Sequence, residues 1–405
     1  MKAIPKQIQK PHVMSALITL MLVEFVRGAL ILSVLPNIGI DVLALTPTAI
    51  GLAISTHYFF DNILRTPMGF LSDHFGQRIV LALGLCTGAL GLIVIAGATD
   101  ALTLTGGAAL LGVGTSPLWP AVITTVTANG DEKQKASAMG YIYIAWLIGG
   151  GSGPVLINFI LGWSYRTAFT LLVTVLLAGG LLAVAASPRL QTAASANGPQ
   201  QLFDAHRYLR EIIVHLKEIR TLFPGMFVQT LAIGILIPVL TPYARVVLGV
   251  SPQLQSVAML TVGGATVILL PVMGKLVDRV GARPFLSGGF LLTAIALVLF
   301  TLQTHVWPAI GFMVLLGFSY AMILPSWNSV LDRSIDREKR GTMWGVFMTV
   351  EGLGTAAGPY IGGRLWQTVG PQAPFLLSAA VVGVMGLVYV FMRIPGLGRR
   401  LKPSS

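Results

Sequence analysis

Charge and cysteine are what this sequence is short of. Of its 405 residues only 10% are charged, while 54% are hydrophobic and the mean hydropathy is +0.79. Soluble proteins carry roughly 25% charged residues, so a soluble globular domain is excluded. The one cysteine, Cys86, rules out any disulfide within the chain. Lying in an apolar run, it reads as a buried, inert thiol. The stretch HYFFD pairs His57 with Asp61 at helical spacing, but neither a nucleophile nor a metal-ligand set accompanies it. No loop is long enough to hold a catalytic module. An enzyme is therefore not expected, and neither is a cofactor or a metal. Lys2, Lys6 and Lys10 precede the first apolar run, yet no small-residue cleavage site follows it. That run is expected to stay in the protein rather than to leave as a signal peptide.

Long apolar runs are what the chain has instead. They recur from residue 13 to residue 392 at about the length that crosses a roughly 30 Å hydrocarbon layer. The expectation is an all-α membrane protein of twelve transmembrane helices. Six lie near 13–35, 47–70, 79–98, 101–128, 136–161 and 165–187, and six more near 222–247, 254–273, 285–302, 306–331, 342–366 and 371–393. Thr46-Pro47 and Ser251-Pro252 have the form of a cap followed by a first-turn proline. The net charge of +12 could suggest nucleic acid, but its placement explains it better. The termini and the loops on their side of the membrane hold 22 of the 27 Lys and Arg residues, and the opposite loops only Arg166, Arg245 and Arg364. Cytoplasmic loops are enriched in these residues, so both termini are expected in the cytoplasm and no nucleic-acid partner is needed.

Residues 1–187 form one expected six-helix bundle and 222–405 a second. The polar stretch 188–221 links them. Its latter part, LFDAHRYLREIIVHLKEIRTL, has basic residues between helically spaced apolar ones, as in an amphipathic helix on the inner membrane surface, with a plain tether as the alternative. The two halves repeat at an offset of 205 residues. GFLSDHFGQR begins at Gly69 and GKLVDRVGAR at Gly274, so Asp73, Gly76 and Arg78 align with Asp278, Gly281 and Arg283. Asp131/Asp336, Lys135/Arg340, Gly140/Gly345, Gly149/Gly354, Gly153/Gly358 and Pro154/Pro359 keep the same offset. Parallel repeats of this kind build secondary transporters that bind cargo at the midplane between the halves.

Both copies of the loop string resemble the loop signature of the major facilitator superfamily. Glycine allows the tight turn, and the Asp can cap the next helix or pair with a cation. By resemblance, Gly69, Asp73, Gly76, Arg78, Gly274, Asp278, Gly281 and Arg283 gate the conformational cycle. Gly149, Gly153 and Pro154 resemble the fifth-span hinge of its antiporters, although Ile157-Asn158 stand where that pattern ends in Gly-Gly. Gly354, Gly358 and Pro359 belong to a complete copy ending at Gly362-Gly363.

Five charged residues fall inside the spans: Glu24, Arg27, Asp61, Arg65 and Glu351. Each would cost roughly 2.5–3.5 kcal/mol if left alone at mid-bilayer, so they should pair or face water. Glu24 and Arg27 share a helix face at i, i+3, and His57, Asp61 and Arg65 share another at i, i+4, i+8. If Glu24 and Arg27 are simply partners, reversing both charges should recover more function than reversing either. Arg65 lies near the cytoplasmic end of its span and can snorkel outward. Four of the five belong to the first two spans. A cavity with one polar, charged wall and one apolar wall is expected, the latter from stretches such as Ile233 to Leu240 and Ala265 to Met273. Such a cavity suits an amphiphile. Trp119, Trp146 and Trp327 are either stacking surfaces for sugar or packing residues.

Glu24-Phe25-x-Arg27-Gly28, Ile31-Leu32-Ser33, His57 with Asp61, and Ser116-Pro117-x-Trp119 resemble the lipoteichoic-acid anchor glycolipid flippases. So do Gly140-Tyr141-x-Tyr143-x-x-Trp146-Leu147, Leu222-Phe223-Pro224-Gly225, Leu324-Pro325-x-Trp327-Asn328 and Trp344-Gly345-Val346-Phe347. The likeness touches nearly every span. It implies a monomeric, proton-coupled antiporter of the bacterial cell membrane that moves a diacylglycerol-linked disaccharide from the inner to the outer leaflet. It further implies that Glu24, Arg27, Asp61 and His57 bind the head group and couple protons, with Trp119, Trp146 and Trp327 as cavity aromatics. Arg65 and Glu351 have no counterpart carried over by the resemblance and stand as further candidates. A proton-coupled multidrug efflux antiporter is the competing reading. Arg27 weighs against it, because a cationic cargo would be repelled unless Glu24 neutralised that charge.

Overall fold

The computed structural model describes residues 8–127, 132–186, 222–334 and 340–391, with side chains described throughout these except at 132–137, 186, 332–334 and 340–346. The expected linker and amphipathic helix lie outside the described residues, as do the side chains of the Asp131/Asp336 and Lys135/Arg340 pairs. Among the described residues all regular structure is helical, in twelve rods. We label them α1 (Pro11–Asp41), α2 (Pro47–Phe75), α3 (Gln77–Ala96), α4 (Ala101–Thr127), α5 (Glu132–Leu161) and α6 (Tyr165–Ala186). The second set is α7 (Phe223–Val247), α8 (Pro252–Val280), α9 (Ala282–Thr301), α10 (Val306–Ser334), α11 (Arg340–Thr368) and α12 (Ala373–Phe391). Ten are apolar and long enough to cross a membrane. The other two, α2 and α11, are 29 residues each and so have the length. They carry His57, Asp61, Arg65 and Glu351.

Helix boundaries follow local chemistry. Thr46 accepts a hydrogen bond from the Ala49 amide and Ser251 one from the Leu254 amide, both at 3.3 Å, each ahead of a first-turn proline. Asp100 and Thr103 form a reciprocal capping box that opens α4. The Thr103 amide, 2.8 Å from Asp100 Oδ1, holds that carboxyl below the usual carboxylate range. Gly76 and Gly281 turn the two loop motifs at φ 91° and 102°, a region where a side chain is strained. Asp73 does not cap α3, whose N-terminus has no side-chain cap, and is instead exposed. In the second copy Arg283 does the work at a helix end: its guanidinium donates to the Tyr389 and Val390 carbonyls at the C-terminus of α12.

Contacts divide the chain into two compact units, Met1–Asp204 and Ala205–Ser405. In the first, α1 packs most extensively on α5, and in the second α7 packs most extensively on α11, the equivalent pair under the 205-residue repeat. The antiporter-like glycines explain the closeness. A Cβ at Gly149 would meet the Met21 carbonyl oxygen, and one at Gly153 the Phe25 carbonyl oxygen. Gly354 and Gly358 face Phe227 and Gly234 on α7 in the same way. Backbones approach this closely only where no side chain intervenes. Gly153→Val therefore has nowhere to put its extra carbons, and overpacking costs about 1–3 kcal/mol. The variant should melt several degrees lower or fail to elute as a single species. Gly140→Ala, with open space around it, should behave as wild type.

One expectation is corrected. Cys86 is exposed on α3, not buried; α3 is apolar on every side, so its sequence does not tell the packed face from the lipid-facing one. Ile157 and Asn158, in place of Gly-Gly, are both fully buried. The Asn158 amide makes no hydrogen bond to any described residue.

Candidate functional site

The first unit gathers four charges from α1 and α2 and two uncharged side chains from α4. Glu24 and Arg27, one turn apart on α1, face α2 and α4 and are joined at 2.6 Å. The Arg27 Nη2 donates to both Glu24 oxygens, and its Nη1 donates to Asp61 Oδ2 on α2 at 3.2 Å. Asp61 Oδ2 also accepts from Arg65 Nη2, one turn along α2, at 2.6 Å. The Arg65 guanidinium carbon then lies 5.9 Å from the centre of the Trp119 ring on α4, within cation–π range. Trp119 closes the circuit by donating its indole N–H to Glu24 Oε1 at 2.9 Å. Five side chains thus form a ring with two positive and two negative charges, which offsets the cost of placing each one in a membrane.

Burial within the ring is uneven. The side chains of Glu24 and Asp61 are 3% and 0% exposed, those of Arg27 and Arg65 12% and 22%. The carboxylates form the floor of the ring, and the guanidinium groups lie nearer its exposed side. Arg65 does not snorkel away. It bends inward because Asp61 and the indole face offer it two partners at once.

Thr115 completes the floor by donating to Asp61 Oδ1 at 3.0 Å. Sequence reading overlooked it, although it sits only four residues before Trp119 on α4. Between Thr115 and Leu118 the helix breaks at Ser116-Pro117, which lets α4 aim both side chains at α1 and α2. His57 is 1% exposed one turn below Asp61, edge-on to the Tyr58 ring. Neither ring nitrogen has a hydrogen bond of good geometry. Gly112 on α4 presses against the His57 backbone, fixing the level at which α2 meets α4.

The remaining candidates are not members of the ring. Trp146 is half-buried on α5. Trp327 is in the apolar core of the second unit with Leu222, Met226, Phe290 and Tyr389, a packing position. Glu351, on α11, lies near enough to Tyr320 of α10 to interact electrostatically. The three ion pairs of the ring, Glu24–Arg27, Arg27–Asp61 and Asp61–Arg65, belong to the first unit.

The second unit offers an apolar cavity instead, of ≈ 290 Å³, among α7, α8, α9, α10 and α12. Ile233, Leu236, Val262, Phe290, Leu316 and Ile323 supply most of its wall. Ile233 and Leu236 come from a stretch expected to form an apolar wall. Thr293 and Ser319 satisfy one another at 2.8 Å, so their hydroxyls do not make that wall hydrophilic.

Two repeated sets of membrane-spanning helices, with buried ion pairs in one and an apolar cavity in the other, define a polytopic secondary transporter. The chain belongs to the Major Facilitator Superfamily, whose family model matches residues 16–221 and again 222–404. It is 31% identical to the proton-coupled antiporter flippase LtaA of Staphylococcus saprophyticus over 386 residues, 92% of each chain. It is 32% identical to the protein of the same name from Staphylococcus aureus over 385 residues, again 92% of each. Among solved structures, the nucleoside transporter NupG superposes with a TM-score of 0.74 at 13% identity, covering 94% of this chain and 100% of that one. This last likeness concerns the fold alone.

Proposed function

We propose that this protein is a proton-coupled antiporter that flips a glycolipid, a diacylglycerol-linked disaccharide, from the inner to the outer leaflet of a bacterial cell membrane. The observation that carries the reading is the division of labour between the units: a hydrogen-bonding, charge-balanced ring in the first and an apolar cavity in the second. Sugar hydroxyls are neutral donors and acceptors, able to exchange bonds with guanidinium N–H groups and carboxylates without bringing a charge into the membrane. Acyl chains need only an apolar wall, and each CH₂ removed from water contributes about 0.8 kcal/mol. The relatives named as proton-coupled antiporter flippases support both the coupling and the class of cargo.

The ring also bears on the competing reading. Its carboxylates are buried beneath Arg27 and Arg65, so a cationic drug would meet positive charge first. That favours a neutral, hydroxyl-rich head group over the cargo of a multidrug exporter. Glu24, Arg27, Asp61 and His57 are the residues proposed for head-group binding and proton coupling, with Trp119 as the aromatic beside them. The loop motifs around Gly76 and Gly281 and the glycine seams of α5 and α11 are proposed to govern the change of conformation. The protein works as a monomer with both termini in the cytoplasm, performs no covalent chemistry and needs no cofactor.

The test is reconstitution into vesicles holding a fluorescent diglucosyl lipid, with a pH difference imposed across the membrane. Net movement between leaflets should follow the gradient and stop when a protonophore collapses it. Movement indifferent to the gradient would remove proton coupling from the account.

A further inference from the structure

Arg65 touches both halves of the ring. Its Nη2 is bonded to Asp61, the carboxylate that Arg27 shares, and its guanidinium lies over the indole that donates to Glu24. Its Nε is buried and makes no hydrogen bond to any described residue. It is also the most exposed of the four charges, at 22%. A residue bonded to one acid and lying over the indole that is bonded to the other is placed to pass the state of one on to the other.

We infer that Arg65 is a positioning residue that couples the two carboxylates, linking the protonation of Asp61 to the placement of the Trp119 indole against Glu24. The inference rests on the proposed transport reading for its physiological meaning, but not for its test. While Asp61 is an anion, Arg65 is held at 2.6 Å and the indole is covered. A proton on Asp61 removes the charge that holds the guanidinium. Arg65 then leaves the indole face, and Trp119 loses the contact that presses its N–H towards Glu24. Sugar hydroxyls would find the freed guanidinium donors at the same moment. The groups that face this switch are Glu24 and Arg27 from α1, and His57, Tyr58 and Asp61 from α2. Thr115 and Trp119 face it from α4, and Tyr143 of α5 lies 6.5 Å from the Trp119 ring.

The experiment is a pH titration of tryptophan emission in detergent-solubilised wild type, Arg65→Gln and Arg65→Lys, with Trp119→Phe supplying the background of the other indoles. An opposite charge within about 4–6 Å shifts a carboxyl's titration by 1–3 pH units. In Arg65→Gln the midpoint of the Trp119-dependent change should therefore move upward by about one pH unit or more. Arg65→Lys keeps the charge but not the planar stacking surface. It should hold the wild-type midpoint while the size of the Trp119 signal falls. Superimposable wild-type and Arg65→Gln midpoints would overturn the inference. So would Arg65→Lys matching wild type in both midpoint and amplitude, which decides the matter even if Arg65→Gln does not fold. Expected titrations alongside a wild type that moves no lipid would sink the cargo reading and leave this one standing.

Discussion

Asp61→Asn abolishes pH-driven lipid movement while leaving a folded protein. Asp61 accepts from two guanidiniums and one hydroxyl, and no other residue of the ring has three separate donors on it. Asparagine has almost the same size but turns an NH₂ group towards one of those donors and cannot take up a proton. Exchange that depends on loading and unloading a proton there should fall at least about a hundred-fold, the lower range for losing a general acid–base group. Removing one partner of a buried ion pair can cost about 3–5 kcal/mol. Here the loss is cushioned, because Arg27 keeps both bonds to Glu24 and Arg65, the most exposed of the four charges, keeps its contact with the Trp119 ring. Size-exclusion profiles and melting temperature should stay near wild type. Full activity in a folded variant would take Asp61 out of the mechanism.

Reversing Glu24 and Arg27 together gives the second large effect, and the structure changes its sign. A simple pair predicts that the double reversal recovers function. In the ring, however, Arg27 also binds Asp61 and Glu24 also receives the Trp119 N–H. The double reversal turns a new carboxylate towards Asp61 in place of the guanidinium that now donates to it at 3.2 Å, and aims the indole N–H at a guanidinium. The double variant should be as inactive as the single reversals, with transport below about 1% of wild type in all three. A double variant that regains a substantial share of the rate would show that the pair acts alone and that the ring is incidental.

The sequence made the architecture readable because a membrane leaves few choices: apolar runs must be helices, and a repeat of 205 residues announces two equivalent bundles. Caps at Thr46 and Ser251 and the turns at Gly76 and Gly281 were equally legible, since each depends on a local residue type. The site was legible as to its members on α1 and α2, because a charge in an oily run has to be explained. What the sequence could not convey was the meeting of α1, α2 and α4. Thr115 and the inward bend of Arg65 depend on which faces of separate helices come together, and no periodicity within one helix encodes that. Trp119 and Trp327 make the same point. They sit in near-identical strings, yet one bonds Glu24 and the other fills an apolar core with Tyr389. Their difference comes from the neighbouring helix, which supplies the Glu24 carboxylate in the first unit and Leu222 and Met226 in the second.

Competition between two cargoes tests the central claim most directly. Vesicles carrying the protein would hold a labelled diglucosyl lipid and a labelled lipophilic cation together, under one imposed pH difference. A guanidinium-faced ring paired with an apolar cavity predicts that the glycolipid changes leaflets and that the cation does not. Movement of the cation with the lipid left in place would contradict it.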